Sequence, residues 1–336
     1  MNNPLCLMII SRTPVRVSFC GGGTDTDWYS QSSDNGGMVT SLALDKYIHV
    51  TVNQRFDNRV RVSYSKLELV DDFEDLEHEL VRESMRITGV TSGVEITTIA
   101  DIPSRGTGLG SSSSVTVGLL NALHSFAGRS VSASQLAAEA CRIEIDILGQ
   151  PIGRQDQYAA SYGGINTIKF SKDGDVLVEP IDISNKTRSK ICEEFTLIFT
   201  GQTRSASSVL SNSISEGKSA IDNLLRIREQ ADEARDLLIS GDTYKLGELL
   251  NEAWNMKRGI SSSVSNDFLD QMYDRIISTG ANGAKLLGAG GGGFFLVHAD
   301  VSIRQKLKTE FSAEHRMIPL NIDETGSCII HQDSQR

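Results

Sequence analysis

"PSRGTGLGSSSS", residues 103–114, sets three glycines and four consecutive serines directly before the apolar run "VTVGLLNALHSFAG". "GVEITTIA" (93–100) upstream reads as a strand and residues 111–127 as a helix, so the stretch is a loop that ends at a helix start. A helix start exposes unpaired backbone N–H groups and the positive end of the helix dipole, and so attracts anions. Gly106, Gly108 and Gly110 let that backbone approach a phosphate without interference from a Cβ. Ser111, Ser112, Ser113 and Ser114 add hydroxyl donors and oxygen ligands for a hard cation such as magnesium. The spacing is not a Walker A loop, because no Gly-Lys-Ser/Thr follows, and it is not the Gly-x-Gly-x-x-Gly of dinucleotide folds. Taken alone, the stretch reads equally well as a flexible loop with serine N-caps.

The rest of the chain narrows the choice. A length of 336 residues allows about two domains of ordinary size. The hydrophobic fraction of 39% and charged fraction of 23% are those of a soluble globular protein, which argues against disordered and fibrous classes. Apolar runs such as "LMII" and "FFLV" fall far short of the roughly 20 residues that span a bilayer, and no signal peptide precedes them. A cytoplasmic protein without a membrane partner is expected. The net charge of −10 argues against broad nucleic-acid binding while leaving room for a local basic pocket. Cys6, Cys20, Cys141, Cys192 and Cys328 form no Cys-x-x-Cys pair and read as free thiols, and the histidines lack metal-pair spacing.

Strands are expected over 9–19, 46–52, 59–64 and 194–201, with a hairpin turning at Asp173 and Gly174. Residues 73–89 read as one amphipathic helix stopped by Gly89, and about 133–148 as another. Long charged amphipathic helices are expected between about 207 and 279 and a further helix near 301–312, with the domain boundary near 190.

Three stretches in order, "RTPVRVSFCGGGTD" (12–25), "PSRGTGLGSSSS" (103–114) and "KLLGAGGGGFF" (285–295), resemble the three motifs of the GHMP kinase superfamily, which phosphorylates small metabolites with ATP. The resemblance covers nearly the whole chain. It is finest to the sugar-kinase branch and, within that, to D-glycero-D-manno-heptose 7-phosphate kinases, through the opening motif, "TGQTRSASSVL" (200–210) and "NMKRGISSSVSNDFLDQMYD" (255–274). It implies an α/β (α+β) fold of two domains, 1–190 ribosomal-S5-like and ATP-binding, 191–336 ferredoxin-like. The implied activity is phosphorylation of the anomeric hydroxyl of the heptose phosphate, with ATP and Mg2+ as cofactors. Another sugar 1-kinase (fucose, galactose or uronic acid) and a non-catalytic sugar- and ATP-binding regulator are the alternatives. The partner is then a small phosphosugar, and a homodimer is left open.

By the same resemblance, Asp156 in "EIDILGQPIGRQDQYAA" (144–160) is the catalytic base and Glu144 a magnesium ligand, although Asp156 also reads as a helix N-cap and Glu144 as a solvated helix face. Ser112 is the second magnesium contact. Arg16 is placed near the base and the transferred phosphate, with Arg12 its competitor. Pro103, Gly106, Gly108, Leu109, Gly110 and Ser111–Ser113 would hold the nucleotide. Gly22, Gly23, Thr24 and Asp25 would hold the sugar, Asp25 because a carboxylate accepts bonds from two vicinal hydroxyls. Arg204, Lys257 and Arg258 are the cations for a distal phosphate, and Gly290 and Gly291 line the third motif. Whether Arg154 faces the substrate is not legible from the sequence.

Overall fold

A computed structural model describes residues 8–103, 106–203, 218–259 and 263–333. The larger of its two sheets is built on two long antiparallel strands, Met8–Cys20 and Gly37–Gln54, paired from Met8↔Asn53 to Cys20↔Thr40. The second strand is long enough to be shared. Its first third pairs with Ile165–Phe170 and its last third with Val94–Ala100, so the sheet splays into two arms. The strand expected at 46–52 is therefore the end of a longer one. Val60–Ser63 pairs parallel to Val94–Ala100 after a crossover that contains the helix Glu79–Thr88. The short edge strand Leu67–Val70, missed in the sequence, pairs with Val60–Ser63.

Local sequence explains most boundaries. The helix expected over 73–89 is broken because Leu76 leaves helical geometry (ψ 128°) and buries its side chain, while Gly89 ends the helix in the left-handed conformation (φ 70°). The hairpin turns where expected, between Ile165–Phe170 and Val176–Pro180. The helix Ser111–Phe126 is buried along most of its length and lies against Met8–Cys20. Gly118 makes this approach possible, since a Cβ there would sit 3.0 Å from Thr13 Oγ1, and Ser11 Oγ donates to its carbonyl at 2.8 Å.

The smaller sheet is antiparallel throughout, in the order Met317–Pro319, Phe195–Phe199, Phe294–His298, Gly283–Leu286. Its apolar strands pack with the helices Thr243–Arg258, Asp267–Ser278 and Val301–Phe311 around Trp254, Tyr273 and Phe295. The helix Lys218–Ser240 joins the two parts, with Ala231 O accepting from Thr40 Oγ1 at 2.7 Å. The closing strand Cys328–Gln332 returns to the larger sheet and pairs with Ile9–Arg12. The class is mixed α/β, as expected. Cys20, Cys141, Cys192 and Cys328 are free thiols.

Candidate active site

A cavity of about 1010 Å³ opens where the three glycine-rich stretches meet, and Gly22, Gly23, Gly108, Gly110, Gly288 and Gly290 all line it. The second and third stretches touch backbone to backbone. A Cβ on Gly108 (φ +75°) would sit 2.4 Å from Leu287 O, and one on Gly288 would sit 2.5 Å from Gly108 Cα. Gly110 (φ 73°) precedes the first turn of Ser111–Phe126, so Gly106, Ser111, Ser112 and Ser113 face the cavity at a helix start. Leu109 is wholly buried and anchors the loop, its carbonyl accepting from the Arg16 N–H at 3.0 Å. Pro103 stands outside the lining, its carbonyl accepting a long bond (3.4 Å) from Ser111 Oγ.

Asp156 stands in the first turn of Gln155–Tyr162, beside Gly110, whose missing Cβ would lie 3.0 Å from Asp156 Oδ2. Arg16 donates to Asp156 Oδ1 from Nε at 2.8 Å, with Nη2 at 2.7 Å, and from Nη1 to Gly108 O at 2.6 Å. One buried guanidinium thus ties the carboxylate to the glycine loop. Burial raises the Asp156 pKa above the ordinary carboxylate value, with the nearby charge of Asp25 adding to the rise and Arg16 opposing it. The side chain remains about 23% exposed, toward the cavity.

Glu144 is completely buried, which replaces the solvated-face reading. The helix Ala133–Cys141 widens into a π-type turn at Arg142–Ile147, and the carboxylate points inward from that turn. Its Oε2 accepts from Gln157 Nε2 at 2.6 Å and its Oε1 from the exposed Ser112 hydroxyl at 3.2 Å. Burial pushes its pKa up to about 7 against hydrogen bonds from Ser113, Gln157 and Ser112. Among the described residues no cluster of three or more His, Cys, Asp or Glu could hold a metal by itself. Ser112 and Glu144 do fit a magnesium ion, since both are hard oxygen donors and such an ion takes the rest of its shell from phosphates and water.

On the other side, Asp25 is buried against Gly153, where a Cβ would sit 1.9 Å from Oδ2. It accepts from Gly23 N (2.9 Å), Gln155 N (3.1 Å) and Gln155 Nε2 (3.0 Å), and still lines the cavity. Thr24 turns away, bridging Gly21 O and Met38 O through Oγ1, and so shapes the loop without lining the cavity.

The expected cations separate. Lys257 lines the cavity and donates to Gly288 O, and burial, followed by the charges of Lys285 and Arg16, pushes its pKa down to about 7. Arg258 points elsewhere, donating to Asp270 Oδ1 at 3.0 Å beneath the rings of Trp254 and Tyr273. Arg12 lies over Tyr47 with Nη2 3.8 Å from Asp323, and Arg154 reaches Gly174 O and Asp27; neither faces the cavity. Gly290 lines the cavity, whereas Gly291 does not, its N–H donating to the carbonyl of Val264. Arg204 lies outside the described residues.

Sequence reasoning missed Lys285, Gln155 and Gln157. Lys285 is buried and lines the cavity, its ammonium donating to Ser18 O (3.2 Å) and Phe19 O (2.7 Å). The one available signal was a lysine inside the four-residue strand Gly283–Leu286, buried throughout.

Residues 76–164 match the model of the GHMP kinases N terminal domain and residues 234–313 that of the GHMP kinases C terminal domain. The chain belongs to the GHMP kinases. A D-glycero-alpha-D-manno-heptose 7-phosphate kinase of Campylobacter jejuni is 30% identical to this GHMP kinase, over 89% of this chain and 91% of its own. A solved structure of a putative sugar kinase from Campylobacter jejuni is 28% identical and superposes with a TM-score of 0.78, covering 98% of this chain and 99% of that one. A D-glycero-D-manno-heptose 1-phosphate kinase from Bacteroides thetaiotaomicron shares the fold of this GHMP kinase at a TM-score of 0.82 and 23% identity, covering 97% of this chain and all of that one.

Proposed function

We propose that this GHMP kinase transfers the terminal phosphoryl group of ATP to the anomeric hydroxyl of D-glycero-D-manno-heptose 7-phosphate, giving the 1,7-bisphosphate. The observation that carries the reading is the single guanidinium of Arg16 holding both Asp156 and the carbonyl of Gly108, so that a proton acceptor and a phosphate loop are in fixed relation. The choice of sugar rests on the 30% identical heptose 7-phosphate kinase.

Phosphoryl transfer asks a protein mainly for alignment, charge neutralisation and a destination for the proton of the attacking hydroxyl. Asp156 is that destination. Burial makes its carboxylate a stronger base than one in water, and Arg16 keeps it ionised until it takes the proton. The serine-lined helix start receives nucleotide phosphates, and the loops' glycines exclude side chains from their path. Ser112 and Glu144 would hold magnesium, which supplies charge neutralisation at the phosphates. Asp25 and the Gly22–Gly23 backbone would orient the sugar, with Lys257 and Arg204 toward its 7-phosphate.

The division near residue 190 belongs to this proposal: the smaller sheet lies wholly after it, and among the described strands that follow it only Cys328–Gln332 pairs into the larger sheet. A cytoplasmic setting and a homodimer are carried with it. Among the described residues, no helix is long and apolar enough to cross a membrane. The convergence of Asp156, Arg16 and Glu144 favours a turning-over enzyme over a regulator.

The test is a coupled ADP-release assay with heptose 7-phosphate, unphosphorylated heptose, fucose and galactose. The heptose 7-phosphate should give the highest kcat/KM. A preference for an unphosphorylated sugar overturns the assignment in favour of another sugar 1-kinase.

A further inference from the structure

Three consecutive residues at one helix start reach three different stretches of the chain. Asp156 meets Arg16 of the strand Met8–Cys20, and its two neighbours each meet another carboxylate of the site. Gln155 donates to Asp25 twice, from Nε2 to Oδ1 at 3.0 Å and from its backbone N to Oδ2 at 3.1 Å. Gln157 donates from Nε2 to Glu144 Oε2 at 2.6 Å. The helix Gln155–Tyr162 makes this divergence possible. Successive side chains on a helix turn through about 100°, so those of Gln155 and Gln157 leave it on nearly opposite sides with Asp156 between them.

Both carboxylates depend on these contacts for their orientation. Among the described residues, the only other donor to the Asp25 carboxylate is Gly23 N, in its own loop, so Gln155 alone ties that carboxylate to a second element. Glu144 is held at both oxygens, Oε1 by Ser112 of the phosphate loop at 3.2 Å and Oε2 by Gln157. All four residues of the two pairs are buried, so water is a poor substitute for either amide.

The choice of an amide is informative. A neutral N–H fixes a carboxylate and leaves its negative charge available to a cation or to sugar hydroxyls, whereas lysine or arginine would neutralise it. Each amide also leaves its own Oε1 buried without a hydrogen-bond partner among the described residues. A buried carbonyl oxygen without a partner costs stability, so packing alone gives no reason for glutamine at either position.

We propose that Gln155 and Gln157 are paired positioning residues on either side of the base, Gln155 setting the Asp25 carboxylate for the sugar and Gln157 setting the Glu144 carboxylate for magnesium. One helix turn then fixes proton acceptor, sugar ligand and metal ligand relative to one another. The proposal rests on the roles given above to Asp25, Asp156 and Glu144, and it holds for whichever sugar is the substrate.

Equilibrium binding to Gln155→Met and Gln157→Met on the full chain tests it without turnover, since methionine keeps the length and removes the donor. The metal readout is the factor by which Mg2+ tightens binding of a nonhydrolysable ATP analogue. The sugar readout is the Kd, with that analogue and Mg2+ present, for whichever of heptose 7-phosphate, heptose, fucose and galactose the wild type uses best. Gln157→Met should cut the metal factor by about three-fold or more and leave the sugar Kd within about two-fold. Gln155→Met should raise the sugar Kd by about ten-fold, the worth of one hydrogen bond to a charged group, and leave the metal factor within about two-fold. A general loosening of the site would move both readouts in both variants. That result overturns the pair, as does a variant that leaves its own readout unchanged. Should either methionine variant fail to fold, asparagine at the same position, which keeps the amide but falls one methylene short of the carboxylate, decides by the same two readouts. Asp25→Asn and Glu144→Gln run alongside: if these leave sugar binding and the metal factor intact, the roles of the carboxylates fail. If they lose them while the glutamine variants do not, the roles stand and the positioning fails.

Discussion

Arg16 and Asp156 lie 140 residues apart in sequence and meet through two contacts to one oxygen, Nε at 2.8 Å and Nη2 at 2.7 Å from Oδ1. The other carboxylate oxygen, Oδ2, faces Gly110 at the phosphate loop. Asp156→Asn keeps that shape and removes the proton acceptor. Turnover should fall by about 10² to 10⁴ with ATP binding nearly unchanged. Single-turnover rates and nucleotide titration together check it, and turnover within a few-fold of wild type would remove Asp156 from the role of base.

Arg12 and Arg16 should separate in the same assay. Arg16→Ala unties Asp156 from Gly108 and should lower kcat strongly. Arg12→Ala breaks a half-exposed contact to Asp323 and a stacking on Tyr47, so it should cost about 1 kcal/mol of stability and leave kcat within about two-fold. Urea melts beside kinetics read both, and a collapse of kcat in Arg12→Ala contradicts the geometry.

Glu144 gives a prediction about stability without ligands. Its folded pKa, about 7, is above its ordinary 4.5, so its contribution is fully present below about pH 4.5 and is lost as pH rises through 7. Above that the loss is on the order of 3 kcal/mol. Glu144→Gln should therefore melt higher than wild type at pH 8 without nucleotide or metal, and converge with it near pH 5. The same variant should need more magnesium for half-maximal rate. Melting curves that stay parallel across this range refute the buried carboxylate.

Lys257, depressed to about 7, is charged at pH 6.5 and largely neutral at pH 8.5 when no anion is bound. The KM for the phosphosugar should rise across that interval, because proton uptake then accompanies binding, whereas the KM for unphosphorylated heptose should not follow. Kinetics at constant ionic strength check this, and superimposable profiles for the two sugars count against it.

Gly108→Ala places a methyl group 2.4 Å from the position of Leu287 O, at a φ of +75° that L residues rarely adopt. The two glycine loops must then separate. The KM for ATP should rise by about ten-fold or more, with a loss of about 1–3 kcal/mol in stability. A variant with normal nucleotide affinity shows that the joint between the loops is not part of the nucleotide site.

Glycine runs and strand alternation made the loops and most strands legible, because both express local backbone requirements. Arg12 and Arg16 were not separable, because residues four apart on a regular strand share a face. The register shift between Pro14 and Val15 sends them into different surroundings. Glu144 was readable as a solvated helix face because the widening at Arg142–Ile147 leaves no mark in helical periodicity. Lys285, Gln155 and Gln157 act through partners more than ten residues away, at Phe19, Asp25 and Glu144, and no pattern within one segment records such meetings.

The pairing of Ile9–Arg12 with Cys328–Gln332 sets a schedule for the ribosome. One flank of the strand Met8–Cys20 waits for a neighbour made more than three hundred residues later. At about 5 to 20 residues per second that wait lasts about 15 seconds or more, during which an unpaired strand edge is open to other chains. A nascent chain halted shortly before Cys328 should therefore be prone to sticking to its copies and to capture by chaperones, and the emergence of Cys328–Gln332 should release it.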